Sequence, residues 1–204
     1  MKAPLVIGLT GSIGMGKSTA AKILSGFGLP IYSADAAVHE ALKKGGKAVK
    51  KVAKLFPATL KRNAIDRKAL GREVFHAPQK LRALESILHP LAQQAERRFI
   101  RANRRAAAVI LEIPLLFETG AQQRCDLVLV VTAARAIQRQ RVLRRAGMTP
   151  EKFRAIQRQQ MPDAEKRRRA DLVVNTGKGL ADTRRQLKQA LAALLEDAAQ
   201  RKQG

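Results

Sequence analysis

Fifteen residues near the start constrain the fold of this chain more than any other stretch: Leu5-Val6-Ile7-Gly8-Leu9-Thr10-Gly11-Ser12-Ile13-Gly14-Met15-Gly16-Lys17-Ser18-Thr19. Residues 5–10 are apolar at nearly every position, as in a strand buried on both faces of a parallel sheet. Residues 19–27 have helical spacing, with Ile23, Leu24 and Phe27 on one face and Gly26 and Gly28 at the end. Between them, residues 11–18 match G-x-x-x-x-G-K-[ST]. A polyphosphate needs several backbone N–H groups aimed at one point, and glycines let the chain curl tightly enough. The helix that follows adds its free N–H groups and the positive end of its dipole. Lys17 supplies a point charge for the β- and γ-phosphates, and Ser18 a hydroxyl for Mg²⁺. A chance match in a Gly-rich turn is the alternative; the flanking strand and helix argue against it.

The rest of the chain supplies more strands of the same kind. Residues 29–32 form a short strand, with Ser33-Ala34-Asp35 at its carboxyl end, the edge where open α/β sheets bind ligands. Asp35 is a candidate to accept a proton from an attacking hydroxyl, or to help hold a metal. Alternatively Ser33 or Asp35 caps a helix over residues 36–44. Residues 106–113 and 126–132 read as buried strands, and residues 170–174 as a fifth. Glu112 ends the third strand, where an acid can hold Mg²⁺ through water. Glu118 closes the apolar run after it, either as a site residue or as a helix cap. Asn175-Thr176-Gly177 follows the fifth strand, where an adenine ring could meet backbone groups.

Two helical insertions interrupt these strands. Residues 36–105 hold no parallel-sheet strand. Gly45-Gly46 breaks the first helix, Val49, Val52, Ala53 and Phe56 make an apolar stripe, and Asp66 reads as the N-cap of a helix over 67–75. Pro78 opens a long helix, which His89-Pro90 interrupts with a kink or junction. Residues 135–169 carry twelve basic residues against three acids. Two helices separated by Gly147 fit there, the second starting at Thr149-Pro150. An arginine-dense hairpin suits a lid over phosphates, although most of these cations are solvated surface. A closing helix over 179–200 carries Leu187, Leu191, Leu194 and Leu195, and residues 201–204 read as a frayed tail.

Length allows one domain with an inserted lobe. The net charge of +24 either draws polyanions, nucleic acid or small molecules with several phosphates, or is simply solvated helix surface. Only 3% of residues are aromatic and none is Trp, which weakens any model with base-stacking platforms. Cys125 is the single cysteine, so no intramolecular disulfide or thiolate zinc cluster forms. Residues 5–9 are too short for a signal h-region or a membrane span. A soluble, reducing compartment, the cytoplasm, is the expectation.

Taken together these residues resemble the dephospho-coenzyme A kinase family. The likeness rests on residues 9–19, Ser33-Ala34-Asp35, Asp66-Arg67 with Leu70 and Val74-Phe75, and Leu88-His89-Pro90. It continues through Ile113-Pro114-Leu115-Leu116-Phe117-Glu118, Arg141 with Arg145, Gln160-Met161-Pro162, Glu165-Lys166 and Ala170-Asp171. The phosphate loop alone is common to hundreds of functions; the Leu-His-Pro and Pro-Leu-Leu-Phe-Glu segments are far more specific. The resemblance implies a three-layer α/β P-loop kinase with a five-stranded parallel sheet. Its nucleotide core would be residues 1–35, 106–134 and 170–204, its helical substrate lobe 36–105 and its lid 135–169. It implies ATP-dependent phosphorylation of the ribose 3′-hydroxyl of dephospho-CoA, with Mg²⁺ and without a membrane or specific nucleic-acid partner.

The same resemblance distributes roles. ATP would meet Gly11, Ser12, Ile13, Gly14, Met15, Gly16, Lys17, Ser18, Thr19, Asn175 and Gly177. Asp35 would be the base, with Lys17, Arg141 and Arg145 near the phosphates. Asp35, Arg67, His89 and Glu118 would face the acceptor, and Ser18 would hold Mg²⁺, with Glu112 acting through water. Three departures stand out: Ser12 where the family usually has Gly, Arg145-Ala146 for the commoner Arg-Asp, and a shortened turn at residues 174–177. An adenylate-kinase-type enzyme would use the same loop and lid but lacks the Leu-His-Pro segment. A nucleic-acid-binding P-loop protein would use the charge, but no recognition-helix or RNP motif is present.

Overall fold

A computed structural model of the chain describes residues 3–75 and 77–200. In chain order its elements begin with β1 (Leu5–Thr10), α1 (Lys17–Ser25), β2 (Ile31–Ser33), α2 (Ala34–Leu42) and α3 (Val49–Leu55). Next come β3 (Leu60–Lys61), β4 (Ala64–Ile65), α4 (Arg67–Val74), α5 (Pro78–Ala102) and β5 (Ala108–Glu112). The last are β6 (Leu127–Thr132), α6 (Arg135–Leu143), α7 (Pro150–Gln159), α8 (Asp163–Arg168), β7 (Leu172–Asn175) and α9 (Leu180–Gln200). The chain forms two compact units: one runs up to Tyr32 and resumes at Asn103, and the other is Ser33–Ala102.

The first unit is built on a five-stranded sheet in the order β2-β5-β1-β6-β7. β1 pairs in parallel with β5 and β6, and β6 with β7. The apolar runs read from the sequence become its centre: Ile7, Leu9, Ile110, Leu129 and Val131 are buried, packed with Leu24 of α1 and Leu187 of α9. Register sets up the site. Leu9 lies opposite Glu112 on one side and Leu129 on the other, so the carboxylate of Glu112 stands where the glycine-rich loop leaves β1. Leu191 packs against the same core. The side chains of Leu194 and Leu195, and residues 201–204, lie outside the described residues.

The second unit has its own core of Leu42, Val49, Val52, Phe56, Ile65, Leu70, Val74, Leu84 and Leu88. Ser33 caps α2, its hydroxyl accepting from Ala36 N at 3.4 Å. Asp66 caps α4, accepting from Lys68 N at 3.0 Å and Ala69 N at 3.1 Å. The Lys61 ammonium at 2.7 Å, with those amides, holds the Asp66 carboxyl down at about 2. A carboxylate whose pKa is lowered by folding stabilises the fold above its unfolded value near 3.8, and that contribution fades as pH falls toward 2. Asp66→Ala is therefore expected to melt below wild type at neutral pH. Asp66→Asn, which still caps but cannot titrate, should fall between them and meet wild type near pH 2. Thermal melts against pH check both statements.

Four expectations need correction. α1 starts at Lys17, two residues earlier than the periodicity placed it, because the loop itself runs into the first turn. α5 runs unbroken through Pro90, so His89 sits within a helix rather than at a junction. Proline removes one hydrogen bond there, and Leu84 and Leu88, buried on the same helix within two turns before it, hold the helix across the loss. A small antiparallel ribbon, β3–β4, lies in the segment read as mostly helical. Its turn places Arg62 (φ 48) and Asn63 (φ 60) in the left-handed region, as a two-residue hairpin requires. Finally, residues 135–169 hold three helices, not two: Gln160-Met161-Pro162 stops α7, and Pro162 starts the short α8.

Candidate active site

The glycine-rich loop curls between β1 and α1, with Met15 N–H donating to Ser12 O at 3.1 Å. Gly14 has φ 79, and a Cβ there would stand 2.5 Å from Val142 Cγ2, so α6 packs directly on the loop. Gly16 has φ 84 and occupies the N-cap of α1 without a side-chain cap. No acid lies in the first turn of α1. The first N–H groups of that helix are thus left for an anion.

Two side chains of that turn meet one carboxylate. Lys17 Nζ is 2.9 Å from Glu112 Oε1, and Ser18 Oγ donates to the same oxygen at 3.3 Å. The ion pair is mostly sheltered, with side-chain exposures of 14% and 11%. Glu112 holds the ammonium at the mouth of the loop. It also sets a carboxylate oxygen beside a hydroxyl, the hard donors that Mg²⁺ takes. Ser12 is buried, and its Oγ has no hydrogen-bond partner among the described residues. It fits the loop without capping it.

The other expected site residues lie on several elements of both units. Arg141 donates to Thr176 Oγ1 at 2.8 Å and to Thr176 O at 2.7 Å, while Thr176 Oγ1 donates to Met15 O at 2.9 Å. Thr176, expected only as part of the turn after the fifth strand, therefore locks α6 and the β7–α9 turn to the phosphate loop. Asn175 folds that turn, its Oδ1 accepting from Gly177 N at 2.8 Å. Arg145 is exposed just beyond α6. Glu118 belongs to the base of the lid: its Oε1 accepts from Met161 N at 2.8 Å and pairs at 2.8 Å with Lys166, which is fully buried. Asp35, Arg67 and His89 belong to the second unit, all exposed, on α2, α4 and α5 respectively.

A cleft of about 970 Å³ opens on the first unit. Ser12 and Met15 line it together with Arg135, Arg154, Arg158 and Arg167. At its rim, Thr132 Oγ1 donates to Asp163 Oδ2 at 2.8 Å, tying the end of β6 to α8. Glu165 lies below its usual carboxylate range because Arg169 and Arg168 hydrogen-bond it, so even the lid's acids are committed to its arginines. Of the cleft arginines, Arg154 pairs with Glu151 at 2.9 Å and Arg167 with Asp163 at 3.2 Å, while Arg135 and Arg158 add positive charge that favours a polyphosphate.

The loop at the carboxyl edge of this strand order, beneath a helical lid, defines a P-loop kinase, and solved structures agree. A crystal structure from Thermus thermophilus matches with a TM-score of 0.84 at 39% identity, covering 95% of this chain and 99% of that one. A dephospho-CoA kinase structure from Campylobacter jejuni matches with a TM-score of 0.71 at 26% identity, covering 95% and 98%. The family model for dephospho-CoA kinase matches residues 5–182. A dephospho-CoA kinase of Nitrobacter winogradskyi is 47% identical over 191 residues, 93% of this chain and 95% of that relative. The chain belongs to the dephospho-CoA kinase family. Among the described residues, no helix is long and apolar enough to cross a membrane.

Proposed function

We propose that this kinase transfers the γ-phosphoryl group of ATP to the ribose 3′-hydroxyl of dephospho-CoA, completing coenzyme A. The observation that carries the reading is the convergence of Lys17 and Ser18 on Glu112 beside the open N-terminus of α1, in a chain matching this family over residues 5–182. The loop amides and α1 hold the β- and γ-phosphates, and Lys17 moves its charge from Glu112 to them. Mg²⁺ fits the hard oxygen donors present: Ser18 would hold it directly and Glu112 through water. Among the described residues, no three metal-ligating side chains of His, Cys, Asp or Glu converge, so most of its ligands would be phosphate and water. Held there, Mg²⁺ would supply neutralisation of charge on the transferring phosphoryl group.

Asp35 acts as the base that accepts the hydroxyl proton. Its support is its position on the first turn of α2, directly after β2, and its place in the family pattern. Arg67 and His89 bind the acceptor in the helical lobe. Arg145 and the cleft arginines close over the phosphates, and Asn175 and Gly177 border the adenine. Lid closure excludes water that would otherwise hydrolyse ATP. Cys125, the one cysteine, suits the reducing cytoplasm.

One assay tests the reading. Purified protein with MgATP is given dephospho-CoA, AMP, nucleosides or duplex DNA, and ADP release is followed together with the mass of the acceptor. Only dephospho-CoA is expected to gain a phosphate. No phosphorylation of dephospho-CoA would overturn the proposal.

A further inference from the structure

Ile13 lies within the phosphate loop, yet both polar atoms of its main chain are taken by side chains of the lid. Its N–H donates to Gln160 Oε1 at 3.0 Å, across 147 residues. Its carbonyl accepts from Gln138 Nε2 at 2.8 Å, and Gln138 is itself buried on α6. Gln157 Nε2 reaches Gln138 Oε1 at 3.4 Å, so the two glutamines of α6 and α7 are joined as well. The loop amides that receive an anion therefore begin after Ile13.

Gln160 is not free to wander. The next residue, Met161, gives its N–H to Glu118, which is paired with the fully buried Lys166 of α8. Pro162 follows as the N-cap of α8. Residues 160–162 are the whole connection between α7 and α8, so any movement of α7 against α8 acts on this peptide. We propose that Gln160 is a positioning residue that fastens the phosphate loop to the base of the lid, holding the loop in its anion-binding curl before ATP arrives. The proposal rests on residues 11–18 being the ATP loop, and not on which acceptor is phosphorylated. A loop ordered in advance lowers the entropy that binding must overcome. Because the fastening point is the α7–α8 joint, the loop also registers the position of the lid.

The test uses the full chain and two substitutions. Gln160→Met keeps the length and flexibility of the side chain but cannot accept from Ile13. Gln160→Glu keeps an accepting oxygen. Amide exchange of residues 11–16 is measured in the ligand-free protein, and KM is measured for ATP and for dephospho-CoA. Gln160→Met is expected to quicken exchange in this loop alone and to raise the KM for ATP about fivefold, the factor one neutral hydrogen bond is worth. The KM for dephospho-CoA should stay unchanged, and Gln160→Glu should restore wild-type exchange. Unchanged exchange in Gln160→Met, exchange that quickens throughout the first unit, or a dephospho-CoA KM that rises in step overturns the proposal. A wild-type chain that fails to bind MgATP would instead sink the ATP-loop reading, and the exchange measurement, which needs no ligand, tells the two apart.

Discussion

Asp35→Asn is expected to bind MgATP as wild type does and to turn over roughly 10²- to 10⁴-fold more slowly, the range over which a positioned general base acts. The substitution is nearly isosteric and removes only the ability to take a proton. It should also leave the fold alone, because the cap of α2 comes from Ser33 and not from Asp35. Nucleotide binding is expected to survive because the loop, Lys17, Ser18 and Glu112 all lie in the first unit, whereas Asp35 lies in the second. Titration calorimetry with MgATP and single-turnover phosphorylation of dephospho-CoA read the two halves separately. Turnover near the wild-type rate would remove Asp35 from the role of base. Loss of MgATP binding would mean that its carboxylate serves the nucleotide or its metal.

The second large effect is at Lys17. Lys17→Ala is expected to lower kcat/KM for ATP by about 10³-fold, comparable to deleting a preorganised donor aimed at developing charge. The ammonium is sheltered and aimed by Glu112 at 2.9 Å, so little reorganisation separates its resting place from a bound phosphate. Its removal also strips the mostly buried Glu112 of its ion pair and leaves it, among the described residues, only the Ser18 hydroxyl. A negative charge then stands uncompensated where phosphates must come. Lys17→Arg should fail to rescue, since a planar guanidinium cannot take the place of a compact ammonium in this loop. In the double variant Lys17→Ala, Glu112→Gln, ATP binding should recover in part, because the uncompensated charge is gone. Equal binding by the single and double variants would show that Glu112 does not oppose the nucleotide.

Much of the chain was legible because its signals are local. Apolar runs of strand length gave β1, β5 and β6; Asp66 and Thr149 announced helix starts; the glycines of residues 11–16 announced a curled loop. Each depends on neighbours a few residues apart. The β3–β4 ribbon was not legible, since its turn is built on Arg62 and Asn63 in a conformation that neither residue advertises as glycine would. The continuity of α5 through Pro90 was also hidden, because buried leucines of the second core, and not local propensity, decide it.

The sequence by itself determined the class of this protein: a buried strand, a phosphate loop and a helix admit few folds, and the Leu-His-Pro and Pro-Leu-Leu-Phe-Glu segments narrow the family. It also named Lys17, Ser18 and Glu112 as separate candidates. Only the tertiary structure decided that these three meet at one oxygen, because parallel pairing of β1 with β5 sets Leu9 opposite Glu112 and so brings Glu112 to Lys17, 95 positions earlier. Likewise only the fold could fix Arg141 to Thr176, set Glu118 under Met161 and Lys166, and close Gln160 onto Ile13. Chemistry is carried by residue type and can be read along the chain. Which groups satisfy one another depends on the path the backbone takes between them.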